Sequence, residues 1–449
     1  MAVEDISSHT KPPALGNESS GLPEEEEERK AVPDMALAQD LHLLELAQSK
    51  PDEVPDLEEV TNRVLAVIKA EKAEPLYTSV CVEKLGWPVD AALQAELKAS
   101  NEAELAEIEE QLRVATESSG DMEVLDAMIA REKFFARIGN KTAAYAAADE
   151  ILTKPKISTG KRIDAAMDKV RLGLFFRDTE ATKENLERAK KLVEDGGDWD
   201  RRNRLKVYEA VALITTRSLK KAAELLLDCI ATFTCVELTT YEQFIFYAVI
   251  TNLLYLERTT LKKKLVDGPE VIAVLREKPA LGRLLNSLYD CDYRAFFQAL
   301  VEVTPELTRD RYMSPHLRLL VREMRVLVYS QFLESYKSVR VASMADAFGI
   351  SVDFLDRELS RFIAAGRLSA KIDKVGGVVE TRRPDSKNAQ YLEVVRDGDA
   401  LLNRLSKLAR LRAGLGRGKK HSISRDQGIH PNEHKRRVTV LYFTCALYL

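Results

Sequence analysis

The chain has 449 residues, 45% of them hydrophobic and 31% charged, enough for ordinary globular cores in two to four domains. Its net charge of −4 is unevenly placed: residues 1–118 hold 27 Asp/Glu against 10 Lys/Arg, and residues 412–449 hold 8 basic against 2 acidic residues. An acidic front and a mildly basic back fit docking among proteins better than a nucleic-acid footprint. The five cysteines, at 81, 229, 235, 291 and 445, include no CxxC pair. They form no disulfide framework and point to a reducing compartment. The N-terminus lacks a signal peptide's basic start and apolar core. The longest apolar stretch, "FIFYAVITNLLYL" at 244–256, is too short to span a bilayer and reads as a buried helix.

In chain order, residues 1–33 are rich in Pro, Ser, Gly and Glu, with "EEEEE" at 24–28. They cannot bury enough apolar surface to offset their ordering entropy, so a disordered acidic tail is expected. Residues 34–120 read as N-terminal helices, punctuated by Pro51, Pro55, Pro75 and Pro88. The last of these helices, from about Val89 to Ser119, is charged on most faces and reads as an exposed strut. Over 121–256 a repeat emerges, with helix breaks at Gly139, Asp178 and Arg217, 39 residues apart. A helix with small and apolar positions follows each break. Stacked antiparallel pairs of this length read as a TPR-like α-solenoid, although 39 exceeds the usual 34. An irregular helical bundle is the alternative. Residues 257–340 continue as helices, where "SLYDCDYRAFFQAL" (287–300) has the spacing of a packed core.

The period then changes. A short helix, Met344–Phe348, stops at Gly349, and a second begins after Ser351, whose side chain is a suitable cap. "RLSAKIDKVGGVVETRR" (367–383) alternates around a Gly-containing turn, predicting a hairpin with strands 368–372 and 378–382. Helix, turn, helix and hairpin make a winged helix over 341–384. Residues 385–411 read as a C-terminal helix with an apolar stripe of Leu401, Leu402, Leu405 and Leu408, a face that wants a partner. The tail 412–449 is basic, ends in an apolar run (438–449), and is expected to be disordered and atypical. The fold class is therefore mostly α.

The helix that would read DNA, 352–366, carries Asp353, Asp356 and Glu358 against Arg357 and Arg361. Its acidic start repels phosphates, whereas base readout needs Arg, Lys, Asn or Gln. Val352, Leu355, Leu359, Phe362 and Ile363 recur at helical spacing and are expected in the core. A basic wing (Arg367, Lys371, Lys374, Arg382, Arg383) leaves a weak nucleic-acid contact open.

No catalytic constellation is found. His421, His430, His434 and Cys445 lack finger spacing, HExxH and GxSxG are absent, and "GLGRGKK" (414–420) fails the phosphate-loop spacing. His316 has no nucleophile partner. The expectation is no enzyme, no cofactor and no metal.

Helical repeats leading directly into a winged helix are the layout of the PCI-domain family, found in the proteasome lid, the signalosome and a translation-initiation complex. The phrases "SPHLRLLVREMRVLVYSQFLESYKSV", "MADAFGISVDFLDRELSRFIAAGRLSAKIDKVGGVVETRRPDSKN" and "LLNRLSKLARL" resemble the non-ATPase lid branch of the 26S proteasome regulatory particle. The resemblance spans about 34–411. It implies a non-catalytic scaffold supporting ubiquitin-dependent degradation in cytoplasm and nucleus. It also implies a hetero-oligomer whose partners are other lid PCI subunits and the ATPase ring, with no specific nucleic acid and no membrane. Carried onto this chain, the implied contact residues are Leu368, Ile372 and Val378 on the hairpin, and Leu401, Leu402, Leu405 and Leu408 in a helical bundle. A signalosome subunit is the alternative, followed by a nucleic-acid-binding winged-helix protein.

Overall fold

The computed structural model describes residues 32–54, 56–118, 120–155, 157–381 and 386–421. The acidic run at 24–28 and the tail histidines His430 and His434 lie outside them, as do Arg382, Arg383 and Cys445. The described chain forms two compact units, residues 32–368 with 372–380, and residues 369–371 with 381–421.

The first unit opens with α1 (Met35–Ser49), α2 (Leu57–Ala70) and a short α3 (Glu74–Leu76) continued by a π-helical turn. Asp34 caps α1, its carboxylate accepting from Ala36 N–H at 2.8 Å. The long α4 (Ala91–Ser118) is held along one face: Leu97 and Ala115 are buried, and Asn101 donates to the Lys72 carbonyl at 3.0 Å. It is a strut anchored on one side.

The hairpins follow: α5 (Asp121–Ile138) with α6 (Lys141–Thr153), α7 (Thr159–Phe175) with α8 (Thr179–Glu194), and α9 (Trp199–Thr215) with α10 (Leu219–Cys229). α11 (Tyr241–Tyr255) closes the array. Each hairpin turns by one device. A left-handed residue (Gly139, φ 79°; Arg177, φ 56°; Arg217, φ 64°) ends the first helix. The next N–H reaches back over the helix end: Asn140 to Phe135 O at 3.0 Å, Asp178 to Gly173 O at 2.9 Å, Ser218 to Leu213 O at 2.8 Å. Asn140 and Asp178 then cap the second helix by accepting from Ala143 and Ala181 N–H. Each helix from α5 to α11 packs against its neighbour in sequence, which is the solenoid arrangement. Ion pairs stitch successive hairpins: Lys161–Asp126 and Arg201–Asp164, both 2.7 Å, and Arg204–Glu237, 2.6 Å. Residues Phe244 to Ile250 are buried on every face of α11, so the apolar 244–256 stretch is a core helix. Among the described residues no helix is long and apolar enough to cross a membrane.

Next come α12 (Arg258–Leu261), α13 (Pro269–Glu277), α14 (Pro279–Asp290), α15 (Tyr293–Arg309) and α16 (Leu317–Ser335). The α14–α15 turn reuses the hairpin device at Cys291, φ 63°, with Asp292 capping α15. The segment after α15 clasps the front of the chain. Arg311 is buried and donates to Ala38 O at 2.9 Å, Leu174 O at 2.9 Å and Phe175 O. Gln39 donates to Arg309 O at 2.6 Å and accepts from Arg311 N–H at 3.0 Å.

The winged helix is formed by β1 (Ser338–Arg340), α17 (Val341–Phe348), α18 (Val352–Ala364), β2 (Ala370–Asp373) and β3 (Val378–Thr381), in sheet order β1–β3–β2. Phe348 joins this winged helix to the helices before it. Its ring lies 5.0 Å from Tyr293, 5.1 Å from Tyr329, 5.3 Å from Phe332 and 5.5 Å from Phe297. Contacts of this geometry contribute beyond simple burial. The second unit is dominated by α19 (Ser386–His421). It runs past the Leu411 boundary expected above, so residues 412–421 are helical where a disordered tail was expected.

Candidate protein-interaction surfaces

The winged helix assembles as its sequence dictates. Gly349, at φ 68°, ends α17, and Ile350 N–H reaches Ala345 O at 3.1 Å. Ser351 Oγ then accepts from Phe354 N–H at 3.4 Å to start α18. Leu355, Leu359 and Phe362 are buried and Ile363 is half-buried. Val352 departs from the expected core: it is 45% exposed, because it sits in the first turn, past the end of the packed face. Phe354 is exposed beside it.

The charge balance of α18 also resolves in three dimensions. Glu358 is not a surface carboxylate. It is buried, takes Arg325 at 2.6 Å and accepts from Tyr329 O–H at 3.0 Å. Burial and this carboxylate push the Tyr329 phenol well above its ordinary range. Asp356 pairs with Lys374 of the wing at 3.3 Å, which neutralises one of the cations that could meet a phosphate.

The hairpin differs from expectation in its bounds, with strands at 370–373 and 378–381 instead of 368–372 and 378–382, and in its place in the sheet. β3 is the central strand: β1 lies antiparallel to it, Ser338 opposite Glu380, Val339 opposite Val379 and Arg340 opposite Val378, and β2 lies on its other side. β3 therefore has a paired strand on each side, and the edge on the hairpin side belongs to β2. Ile372, in β2, and Val378 have half-buried side chains. Leu368 is 5% exposed and fills the chain's own interior, so it presents no side chain to a neighbour.

On α19 the four expected leucines, Leu401, Leu402, Leu405 and Leu408, are all exposed, and the apolar surface extends further than the leucines alone imply. Tyr391, Leu392, Val394, Val395 and Leu411 join them, the whole set lying between 58% and 69% exposed. Such a surface is far larger than scattered exposed apolar residues account for. Continuing the helical period upstream from Leu401 through Gly398 to Val394 and Tyr391 would have found these residues in the sequence.

Among the described residues no group of His, Cys, Asp and Glu could hold a metal ion. A cavity of about 490 Å³ lies beside Arg204 and Glu237, but its charges are spent internally: Glu237 takes both Arg204 and the Tyr208 O–H at 2.8 Å. Burial pushes the Cys81 thiol up to about 12 and that of Cys229 up to about 11, which leaves both inert at neutral pH.

Comparison with known proteins matches these parts one by one. Residues 90–264 match the family described as 26S proteasome subunit RPN7, and residues 300–383 match the PCI domain. Residues 390–411 match the C-terminal helix of 26S proteasome regulatory subunit RPN7/PSMD6, the segment that carries the apolar surface. The chain is 46% identical to an Arabidopsis thaliana protein described as 26S proteasome non-ATPase regulatory subunit 6 homolog, over 84% of this chain and 97% of that one. It is 40% identical to 26S proteasome regulatory subunit RPN7 of Saccharomyces cerevisiae, over 81% and 90%. COP9 signalosome complex subunit 1 of Arabidopsis thaliana is a more distant relative, 28% identical over 40% of each chain. With its helical array, PCI domain and C-terminal helix all matched in order, the chain belongs to the RPN7/PSMD6 family of 26S proteasome regulatory subunits.

Proposed function

We propose that this protein is a non-catalytic scaffold subunit of the proteasome regulatory particle lid and supports ubiquitin-dependent degradation in cytoplasm and nucleus. The observation that carries this is the exposed apolar face of α19, coincident with the family's own C-terminal helix at 390–411. A fully buried Leu contributes roughly 1.5–3 kcal/mol, so a helix docked through Leu401, Leu402, Leu405 and Leu408 is held firmly. The open edge of β2 offers backbone groups to a neighbouring PCI subunit, with Ile372 on that strand and Val378 on the adjoining one. The solenoid faces the ATPase ring and adjacent lid subunits. The internally paired charges at the cavity and the inert thiols support a role without catalysis.

Affinity purification of the tagged chain from its native cells tests this. Lid, ATPase-ring and core-particle chains should co-purify in stoichiometric amounts. Recovery of signalosome chains without proteasome chains would overturn the assignment.

A further inference from the structure

We infer that Glu132 is a proton-operated latch: protonated, it leaves Arg171 to hold the segment entering α1 against the solenoid, and ionised, it competes for Arg171 and loosens that hold. The latch belongs to the folded chain itself and does not depend on the lid assignment.

The position comes first. Met128, Glu132 and Ala136 lie four residues apart on one face of α5. Met128 packs in one apolar cluster, with Leu125, Ile151 and Ala165, and Ala136 in another, with Ala144 and Leu172. Glu132 therefore sits between two apolar clusters, 2% exposed, and its Oε1 has no hydrogen-bond partner among the described residues. On α7, Asp168 occupies the matching place between Ala165 and Leu172, and its carboxylate acts on Glu132 across the contact. A buried carboxylate with an unpaired oxygen is costly, and a second carboxylate beside it raises the cost.

Charge counting gives the resting state. The network that runs inward from this contact holds three carboxyl groups, Glu132, Asp168 and Glu237, against two guanidiniums, Arg171 and Arg204. One proton balances it. Asp168 takes Arg171 at 2.6 Å and Glu237 takes Arg204 at 2.6 Å, so the proton belongs on Glu132. Burial, reinforced by Asp168, pushes Glu132 up to about 8, in accord with that count. Lys133 reaches Glu132 from its own helix, but from an exposed position. The charges on the other helices packed against α5 are engaged elsewhere. On α4, Glu104 takes Arg137, and Lys72 at 3.5 Å; on α6, Glu150 takes Arg131 and Asp149 takes Lys169 at 2.7 Å. The Tyr145 phenol of α6 stays protonated, pushed up to about 12 by burial.

The same Arg171 fixes the chain just before α1. Its Nε and Nη2 donate to the Val32 carbonyl at 3.1 and 2.7 Å, and its Nη1 donates to the Tyr208 hydroxyl at 3.2 Å. Nη2 is thus divided between Val32 and Asp168. The Val32 side chain rests on the cluster of Ala136, Ala144 and Leu172. An ionised Glu132 adds a buried charge that Arg171 is best placed to offset. A guanidinium drawn towards two carboxylates gives up its neutral acceptor first, because bonds between charged groups are the stronger ones. That acceptor is the carbonyl of Val32. The sign follows from the raised value of Glu132: the hold is complete while the proton is on and is lost as pH rises through about 8.

Hydrogen exchange read by mass spectrometry on the full chain tests this. Between about pH 7 and 9, after correction for intrinsic exchange, protection of the amides at 34–39 should fall about tenfold, as one linked proton requires. Protection of α11 should not change. Glu132→Gln, similar in shape and always neutral, should keep the neutral-pH protection of 34–39 throughout. Infrared difference spectra of the parent against this variant should show a protonated-carboxyl band at neutral pH. In the parent alone, titration of a protonated-carboxyl band should have its midpoint at the pH where protection is lost, a comparison that stands even where the variant folds poorly. Constant protection of 34–39 in the parent, parallel loss in Glu132→Gln, or no protonated-carboxyl band at neutral pH would each overturn the latch.

Discussion

Arg325 and Glu358 meet at 2.6 Å beneath the helix that would read bases in a gene regulator. The pair turns one carboxylate of α18 inward, and Tyr329 O–H donates to its second oxygen at 3.0 Å. Glu358→Ala should therefore cost about 1–3 kcal/mol, since it leaves a partly buried guanidinium and a buried phenol without their acceptor. Tyr329→Phe should cost less, because Arg325 keeps its partner. Urea denaturation midpoints of the two variants check the order.

Duplex binding should be weak and insensitive to sequence. Asp356 neutralises Lys374, and Asp353 stands exposed where phosphates would approach. With few cations free on this face, the log–log salt dependence of binding should have a slope no steeper than about −2, against roughly −0.9 per phosphate contacted. A steep slope with a preferred sequence would restore the regulator's role to this module.

Arg311 ties its own segment to two others, α1 and the end of α7, by donating to the carbonyls of Ala38, Leu174 and Phe175. Burial pulls its pKa down to about 10, which still leaves it charged at neutral pH. Arg311→Met should cost about 2–4 kcal/mol by removing three buried hydrogen bonds from a charged donor. Hydrogen exchange should rise in α1 and around 309–316 while α8 to α10 stay protected.

Two buried groups set opposite pH limits. Burial, reinforced by Arg177, lowers His42 from 6.5 to about 4. Its contribution to stability is complete above about 6.5 and declines as pH falls towards 4, where the folded chain must accept a charge. Burial, reinforced by Asp168, raises Glu132 from 4.5 to about 8. Its contribution is complete below about 4.5 and is lost as pH rises to about 8. Glu132→Gln should therefore stabilise the protein most at pH 8, on the order of a few kcal/mol, and change little near pH 4.5. Thermal melts of both chains across this range check the sign.

Much of this architecture is legible in the sequence because each hairpin carries local punctuation, a left-handed cap followed by Asn, Asp or Ser. The aromatic run before α16 is legible for a similar reason, since its spacing alone places Phe296 in the core. β1 is not legible: "SVR" is too short to show alternation and becomes a strand through pairing with β3. That pairing also decides that β3 is central, a tertiary fact that the hairpin's own residues do not encode. Val352 shares the spacing of its core neighbours, and only the end of the packed face leaves it exposed. On α19 the leucines mark the surface, but Tyr391, Val394 and Val395 are not leucines and stand beyond a glycine that breaks the stripe.

The most direct measurement is the fraction of Leu401→Asp/Leu405→Asp chain found in lid-sized particles by native gel and mass spectrometry, with circular dichroism confirming that its solenoid stays folded. Both leucines are exposed within this chain, so the substitutions should leave its melting temperature unchanged while incorporation falls to below about a tenth of the parent level. Incorporation at the parent level would contradict the assignment of α19 as the assembly seam.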